Sequence, residues 1–418
     1  MKNILREIRY FLDFVFASIK IALTGDRRYY VWLASLVMLV VLGTYAYIYQ
    51  LMHGLIVTGM RDQVSWGLYI SNFTFFVGVA ASAVLIVAPL YLYNYREFEY
   101  IVTFGEFLAV AALIIALTNV LADVGRVERL WHMFPLIGTP NWPDSMLVWD
   151  VLVLNGYLFL NLLIPGYKLY KKYIGSEPSN WIKFFIFLSI PWAISIHTVT
   201  AFIYAGLSAR PYWNTALMAP RFIASAFTSG PAIMILVLLI IRKYTFYRKY
   251  ISEKAIETLA QITLIAMLVN LFLLLSELYT VFYSATIHQV SLKYLFFGLE
   301  HNGKVYAALK PIAWLSLFMQ ITSVALLLYP KTRRNFKTLA AACSLNATGI
   351  WLEKGMGLVV PGFVPTPIGE IWEYMPSFME WVIVAGTVAW GFLVYTLMLK
   401  VAKTIEAGLA RHPKAGKE

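Results

Sequence analysis

The sequence predicts an all-α, polytopic membrane protein of about ten transmembrane helices, and two observations carry that prediction. The 418-residue chain is 60% hydrophobic and only 13% charged, against about 25% charged residues in an ordinary soluble domain. Uncharged apolar runs, such as 31–49 and 78–95, recur to the end of the chain. Each is long enough to cross a hydrocarbon core of about 30 Å, which takes about 20 helical residues.

In order along the chain, the start MKNILREIRYFLDF is charged and leads into a short amphipathic stretch. It lacks the compact apolar core and small-residue cleavage site of a signal peptide, so no cleaved presequence is expected. Spans are expected at 29–52, 66–93, 100–123, 146–169, 181–206, 221–242, 256–282, 310–330, 336–359 and 378–400. Pro165, Pro191 and Pro231 fall inside spans, where neighbouring helices can satisfy the freed backbone groups, so they are not read as breaks.

The net charge of +12 could suggest nucleic acid. The basic residues are instead dispersed among the spans, without a basic face interleaved with aromatics, so no nucleic-acid partner is expected. With the N-terminus inside, 25 of the 34 Lys and Arg residues fall on the inner side. That asymmetry predicts a multi-pass protein of the cytoplasmic membrane with both termini cytoplasmic. The longest outer connections, 124–145, 207–220, 283–309 and 360–377, could dock an external partner. Cys343 is the only cysteine and lies in an apolar segment, which offers no disulfide, Cys-rich cluster site or CxxCH haem attachment. No two histidines share a depth on facing spans: His197 alone is well inside one, His53 is at a helix end, and His132, His288, His301 and His412 lie in loops or the tail. No haem or iron–sulfur cluster is therefore expected in this chain, and no metal site.

An internal repeat appears when EFLAVAALIIALTN (106–119) is laid on ETLAQITLIAMLVN (257–270), with seven of fourteen positions identical. Glu106 falls on Glu257 and Asn119 on Asn270. SNFT (71–74) resembles SAFT (225–228), and Trp149 with Pro165 has the spacing of Trp314 with Pro330. The unit is four helices. The expected organisation is an arm and first span over 1–65, a first four-helix bundle over 66–206 holding the site, a second over 221–359, and a last span with tail over 360–418. An even-numbered unit keeps both copies in one orientation, unlike inverted-repeat transporters.

Ionisable groups inside a bilayer cost about 2.5–3.5 kcal/mol each on insertion scales, so those that persist are candidates for function. They are Glu106, Asp123, Asp150, His197, Glu257, Glu277, Glu353 and Lys354. Asp123 and Glu277 sit at outer helix ends, where a structural cap is the simpler role. Glu353 and Lys354 can snorkel or pair. Glu106 lies inside its span and is a candidate for proton transfer, with helix packing as the alternative. His197 is open between a structural hydrogen bond and proton exchange, for which imidazole is suited near neutrality.

The segment 125–157 concentrates Arg126, Glu128, Trp131, His132, Asp144, Trp149 and Asp150 where the chain leaves span three and re-enters span four. A two-proton redox substrate such as a quinone needs donors for its carbonyls, a proton acceptor and aromatic walls, and this stretch supplies all three. An interfacial aromatic belt with salt bridges is the alternative.

GLYISNFTFFVGVAASAVL (67–85), GRVERLWH (125–132), PNWPDSMLVWD (140–150), IHTVTAFIYAG (196–206) and GIWLEKGMGLVVPGF (349–363) together resemble the NrfD/PsrC family of quinone-interacting membrane subunits. The length and the span-nine motif are nearest its sulfite-reduction-linked DsrP branch. The resemblance covers nearly the whole chain. It implies a quinone-reactive subunit of a multi-subunit oxidoreductase, with menaquinone as substrate near the outer face of the first bundle. Redox cofactors would sit in partners: a ferredoxin-like iron–sulfur subunit outside, and multihaem cytochrome c and haem b subunits. On this resemblance the quinone pocket maps onto His132 and Asp150, with Arg126 and Asn72, and a cytoplasmic proton path onto Glu106, with Asn119 and Asp123 higher on the same helix. A secondary transporter and a purely structural anchor are the other readings. Parallel repeats weigh against the first, and the buried Glu106 and the His132/Asp150 pair against the second.

Overall fold

Local rules start and stop the helices. The Asp26 carboxylate accepts from Tyr29 N at 3.0 Å, the Ser252 hydroxyl accepts from Ala255 N at 3.0 Å, and Ser377 and Glu380 form a capping box. Each satisfies amide groups that a helix start leaves open. The computed structural model describes residues 2–133 and 137–413. Residues 134–136 of the segment 125–157 and the last five of the expected cytoplasmic tail lie outside the described residues.

The chain opens with α1 (Lys2–Leu23), on which Leu5, Ile8, Leu12, Phe16 and Ile19 form an exposed apolar stripe. This spacing makes an amphipathic helix, and the whole arm adopts it. There follow α2 (Arg27–His53), then α3 (Leu68–Ala81) and α4 (Val84–Leu92), which together make one span bent at Ser82 and Ala83. The first half continues with α5 (Val102–Asp123), α6 (Met146–Ile174) and α7 (Trp181–Ala205). The second half comprises α8 (Met218–Tyr244), α9 (Glu253–Ser284), the short α10 (His288–Phe296), α11 (Lys310–Leu328), α12 (Pro330–Arg334), α13 (Phe336–Lys354) and α14 (Met356–Val359), and α15 (Phe378–Glu406) closes the fold. A hairpin of β1 (Leu299–His301) and β2 (Lys304–Tyr306) pairs Leu299 with Tyr306 in the loop before α11.

Among the described residues, nine helices are long and apolar enough to cross a membrane, and the all-α polytopic architecture is as expected. The segment read as a ninth span, 336–359, is the exception in detail. It forms α13, in which Lys337, Asn346, Glu353 and Lys354 dilute the apolar run, stops at Gly355, and resumes as α14. It still packs between α8 and α11. Pro165, Pro191 and Pro231 sit inside unbroken helices.

α3 packs on α5 and α7 as α8 packs on α9 and α13; α6 meets α7 as α11 meets α13; α5 meets α6 as α9 meets α11; and α3 and α8 pack on each other. Outside these eight, α15 packs on α2 and α5. A Cβ on Gly43 of α2 would stand 2.5 Å from the Cα of Gly386 on α15, so only glycine allows that crossing. Close approach through small residues is how helices bind in lipid, where apolar burial gives no net drive. Large apolar side chains such as Phe272, Leu275 and Phe318 face outward, while Asn72, Asn119, Asp150 and Asn161 are buried. Bilayer as solvent accounts for that inversion.

Candidate functional site

Asp150 lies one turn inside α6 and is 3% exposed. From α7, Thr200 Oγ1 stands 2.7 Å from Asp150 Oδ1 and 2.9 Å from the Ile196 carbonyl, so its one proton is shared between them. A turn to either side of Thr200 lie His197 and Tyr204, on the same helix face. The Tyr204 hydroxyl is 2.5 Å from Thr74 Oγ1 of α3. Aromatic rings wall the far end: Tyr204 meets Trp66 at 5.6 Å and Trp213 at 5.3 Å, and His197 meets Phe222 of α8 at 5.0 Å. His197 is buried and its Nδ1 has no hydrogen-bond partner. An acid, hydroxyls and an imidazole thus line the face that α7 turns to α3, α6 and α8. Among the described residues no cation pairs with Asp150, and a lone carboxylate at that depth is retained at a cost.

The other expected pocket residues are distributed differently. Asn72 is buried on α3, donating to the Leu68 carbonyl at 2.9 Å and accepting from Trp351 Nε1 at 2.9 Å. His132 is exposed on a 3-10 turn over Val127–Met133, with its ring stacked 3.7 Å from that of Trp131. Arg126 is exposed and pairs with Glu128 at 3.3 Å. The Glu128 carboxyl is held below its ordinary range, first by its own backbone amide and then by Arg126. Among the described residues, no hydrogen bond or ion pair joins His132 or Arg126 to Asp150. The physical reason is direction: α6 turns Asp150 inward toward α7, whereas the preceding loop runs over the surface.

Along α5, Glu106 is 2% exposed and its Oε2 has no hydrogen-bond partner. Lys168 of α6, whose Nζ donates to the Tyr91 hydroxyl at 2.5 Å, and Glu406 of α15 are the charged groups whose fields reach it. Tyr91, Lys168 and Glu406 also line an open polar cavity of about 690 Å³, which admits water to this end of the bundle. Asn119 Nδ2 donates to Thr387 at 3.0 Å and to the Ile115 carbonyl at 2.8 Å. At the far end of α5, Asp123 Oδ1 is buried without a partner. Nearby, Gln50 of α2 donates to the Ala122 carbonyl at 2.7 Å and accepts from Tyr69 at 2.6 Å.

Sequence reasoning missed Arg221. It is buried on α8, bonded to Glu277 of α9 and, at 3.0 Å, to Glu353 of α13. Glu353 also accepts from Asn270 at 3.1 Å and Gln320 at 2.9 Å, and lies 3.0 Å from Lys354 Nζ. The signal was an arginine in the first turn of an apolar span, which calls for a buried acid as partner. Among the described residues no group of three or more His, Cys, Asp or Glu could hold a metal.

The family model for polysulphide reductase NrfD matches residues 56–365. The chain belongs to the NrfD family. Its relatives include a putative dimethyl sulfoxide reductase membrane subunit of Halobacterium salinarum, 27% identical over 79% of this chain and 77% of that protein. The Hdr-like menaquinol oxidoreductase integral membrane subunit of Archaeoglobus fulgidus is 24% identical over 90% of this chain and 94% of its own length. The menaquinone reductase integral membrane subunit of Nitratidesulfovibrio vulgaris is 23% identical over 88% and 90%. These NrfD relatives serve differently named complexes, and their names do not single out the sulfite-linked branch.

Proposed function

We propose that the chain is the quinone-reactive membrane subunit of a respiratory oxidoreductase, exchanging two electrons and two protons with menaquinone at the end of the first half where Asp150 lies. The observation that carries this reading is the buried, cation-free Asp150 bonded to Thr200, with the Tyr204–Thr74 pair and His197 on the same face of α7. A quinone's carbonyls need hydroxyl or imidazole donors, and its protons need an acceptor within hydrogen-bond reach. Trp66, Trp213 and Phe222 offer the aromatic surface. Two relatives named for menaquinol or menaquinone fit the same substrate. His132 and Arg126, on the adjoining surface loop, serve as the entrance of this site, and Asn72 contributes from α3, which also carries Thr74.

On this reading Asp150 accepts a proton from the quinol and the imidazole of His197 serves as a second carrier. Glu106, Asn119 and Asp123 form a second proton path, open to water at the cavity beside Lys168. The matched packing of α3–α7 and α8–α13 supports the expected pair of four-helix bundles, 66–206 and 221–359. With both termini cytoplasmic, the Asp150 end faces outward. There an external iron–sulfur subunit receives the electrons, and cytochrome c and haem b subunits complete the complex, with sulfite or sulfate reduction as its outlet.

The test is to purify the chain from its native membrane with its partners. Bound menaquinone at about one per complex, together with a co-purifying iron–sulfur subunit, is the expected result. Neither quinone nor a redox partner would leave the transporter and anchor readings standing.

A further inference from the structure

Where α3, α7, α8 and α13 meet, between the two halves, the structure leaves a pocket of about 10 Å³ lined by Thr74, His197, Ser225, Ser229 and Lys354 among others. That is the space of one water, and a buried water is held where two or more polar groups converge. His197 Nδ1 and Lys354 Nζ are both buried without a hydrogen-bond partner of proper geometry, the His197 ring lying beside the Phe222 backbone, and each residue is only 2% exposed. The contact of Lys354 Nζ with Glu353 at 3.0 Å leaves its other N–H groups without acceptors. Each side of the cavity belongs to a different network. On one side stands the hydroxyl and acid face of α7, with Asp150 and Thr200. On the other stands the charge cluster of Arg221, Glu277, Glu353 and Lys354, whose two cations and two anions sum to zero.

We propose that this cavity is a water site joining His197 to Lys354, so that the buried charge cluster of the second half and the Asp150 face of the first form one proton-conducting chain across the interface. The transfer balances without any other reactant. The Lys354 ammonium gives a proton to the water oxygen while the water passes one of its own to the open ring nitrogen of His197. A neutral amine and an imidazolium result, the summed charge is unchanged, and the reverse step restores both. Each transfer leaves the cluster with one net negative charge, which draws the proton back and makes the cluster a reservoir. The second half is in this way a proton store for the first.

The water site is a property of the chain's own residues and stands apart from the quinone reading; only the relay is read through turnover. A high-resolution cryo-EM map of the native complex is expected to show one density peak within hydrogen-bond distance of His197 and Lys354, and its absence overturns the site. Ala226→Val adds methyl groups to the cavity wall while leaving every ionisable group in place. It is expected to remove the peak and slow menaquinol turnover at least about tenfold with the complex still assembled. Retention of full turnover after loss of the peak overturns the relay. His197→Gln and Lys354→Met complete the test as a double-mutant cycle. Members of one chain should give a double variant no slower than the slower single, whereas multiplied losses overturn the connection. Should the wild-type complex show no quinol turnover at all, the preceding reading fails, and the map alone decides the water site.

Discussion

Asn119 and Asn270 hold matching places on α5 and α9, yet Asn119 donates to Thr387 of the flanking α15 while Asn270 donates to Glu353 and Gln320 inside its own half. Glu106 and Glu257 differ in the same sense: Glu106 is buried without a hydrogen-bond partner for Oε2, and Glu257 pairs with Arg334 at 2.9 Å. Trp149 and Trp314, in contrast, perform the same task, each donating its indole N–H to an upstream carbonyl at 2.8 and 2.9 Å. One architecture thus carries two electrostatic regimes. In the second half, buried charges are cancelled by partners, which fixes geometry. In the first, Glu106 and Asp150 are buried outside any ion pair within 4 Å, and only the field of Lys168 offsets Glu106.

The largest expected effect tests the cancelled half. Arg221→Leu leaves Glu277 and Glu353 buried with too little positive charge, and breaking such a pair costs about 3–5 kcal/mol. The variant is expected to lose most of its folded yield in detergent, measured by size-exclusion chromatography, whereas the charge-free first-half change Asp150→Asn should keep it. Equal yields would erase the contrast. Next, Asp150→Asn should lower menaquinol turnover of the assembled complex about a hundredfold, since a positioned acid or base contributes about 10²–10⁴-fold. Full activity would move the site away from α6. Glu106→Gln, nearly isosteric, should leave the complex assembled and slow turnover several-fold or remove its charge-translocating component in proteoliposomes. If both are unchanged, Glu106 is a packing residue like any other on α5. The smallest effect belongs to His132→Ala: an exposed entrance residue should change the apparent affinity for quinol about twofold to fivefold and kcat little. A loss as large as that of Asp150→Asn would place His132 against the reacting ring.

Much of the fold was legible because the bilayer imposes it. Apolar runs of a span's length mark α2, α3–α4 and α5 to within a few residues. The segment 336–359 was harder: hydropathy cannot show that α13 ends at Gly355, because the break depends on local backbone geometry. Buried ionisable residues were visible one by one, and their partners were not. Nothing near Asp150 in the sequence points to Thr200 or Tyr204, fifty or more positions away. Proximity in sequence also grouped His132 and Arg126 with Asp150, although the chain between them turns from the surface into the helix core. Arg221 was passed over because it stood at the edge of an expected span, where a cation is ordinarily solvated by headgroups.

The crossing of α2 and α15 at Gly43 and Gly386 has a consequence for biogenesis. Synthesis proceeds from the N-terminus, so α2 enters the membrane with its glycine notch empty, and α15, which fills it, is made only after the eight helices that lie between them. Until then α2 has among the long helices no extensive contact in this fold other than with α15, and the eight helices between must assemble with their clasp undone. Closure of the fold therefore waits on α15. A product truncated before residue 378 would present the unfilled Gly43 notch of α2 to lipid.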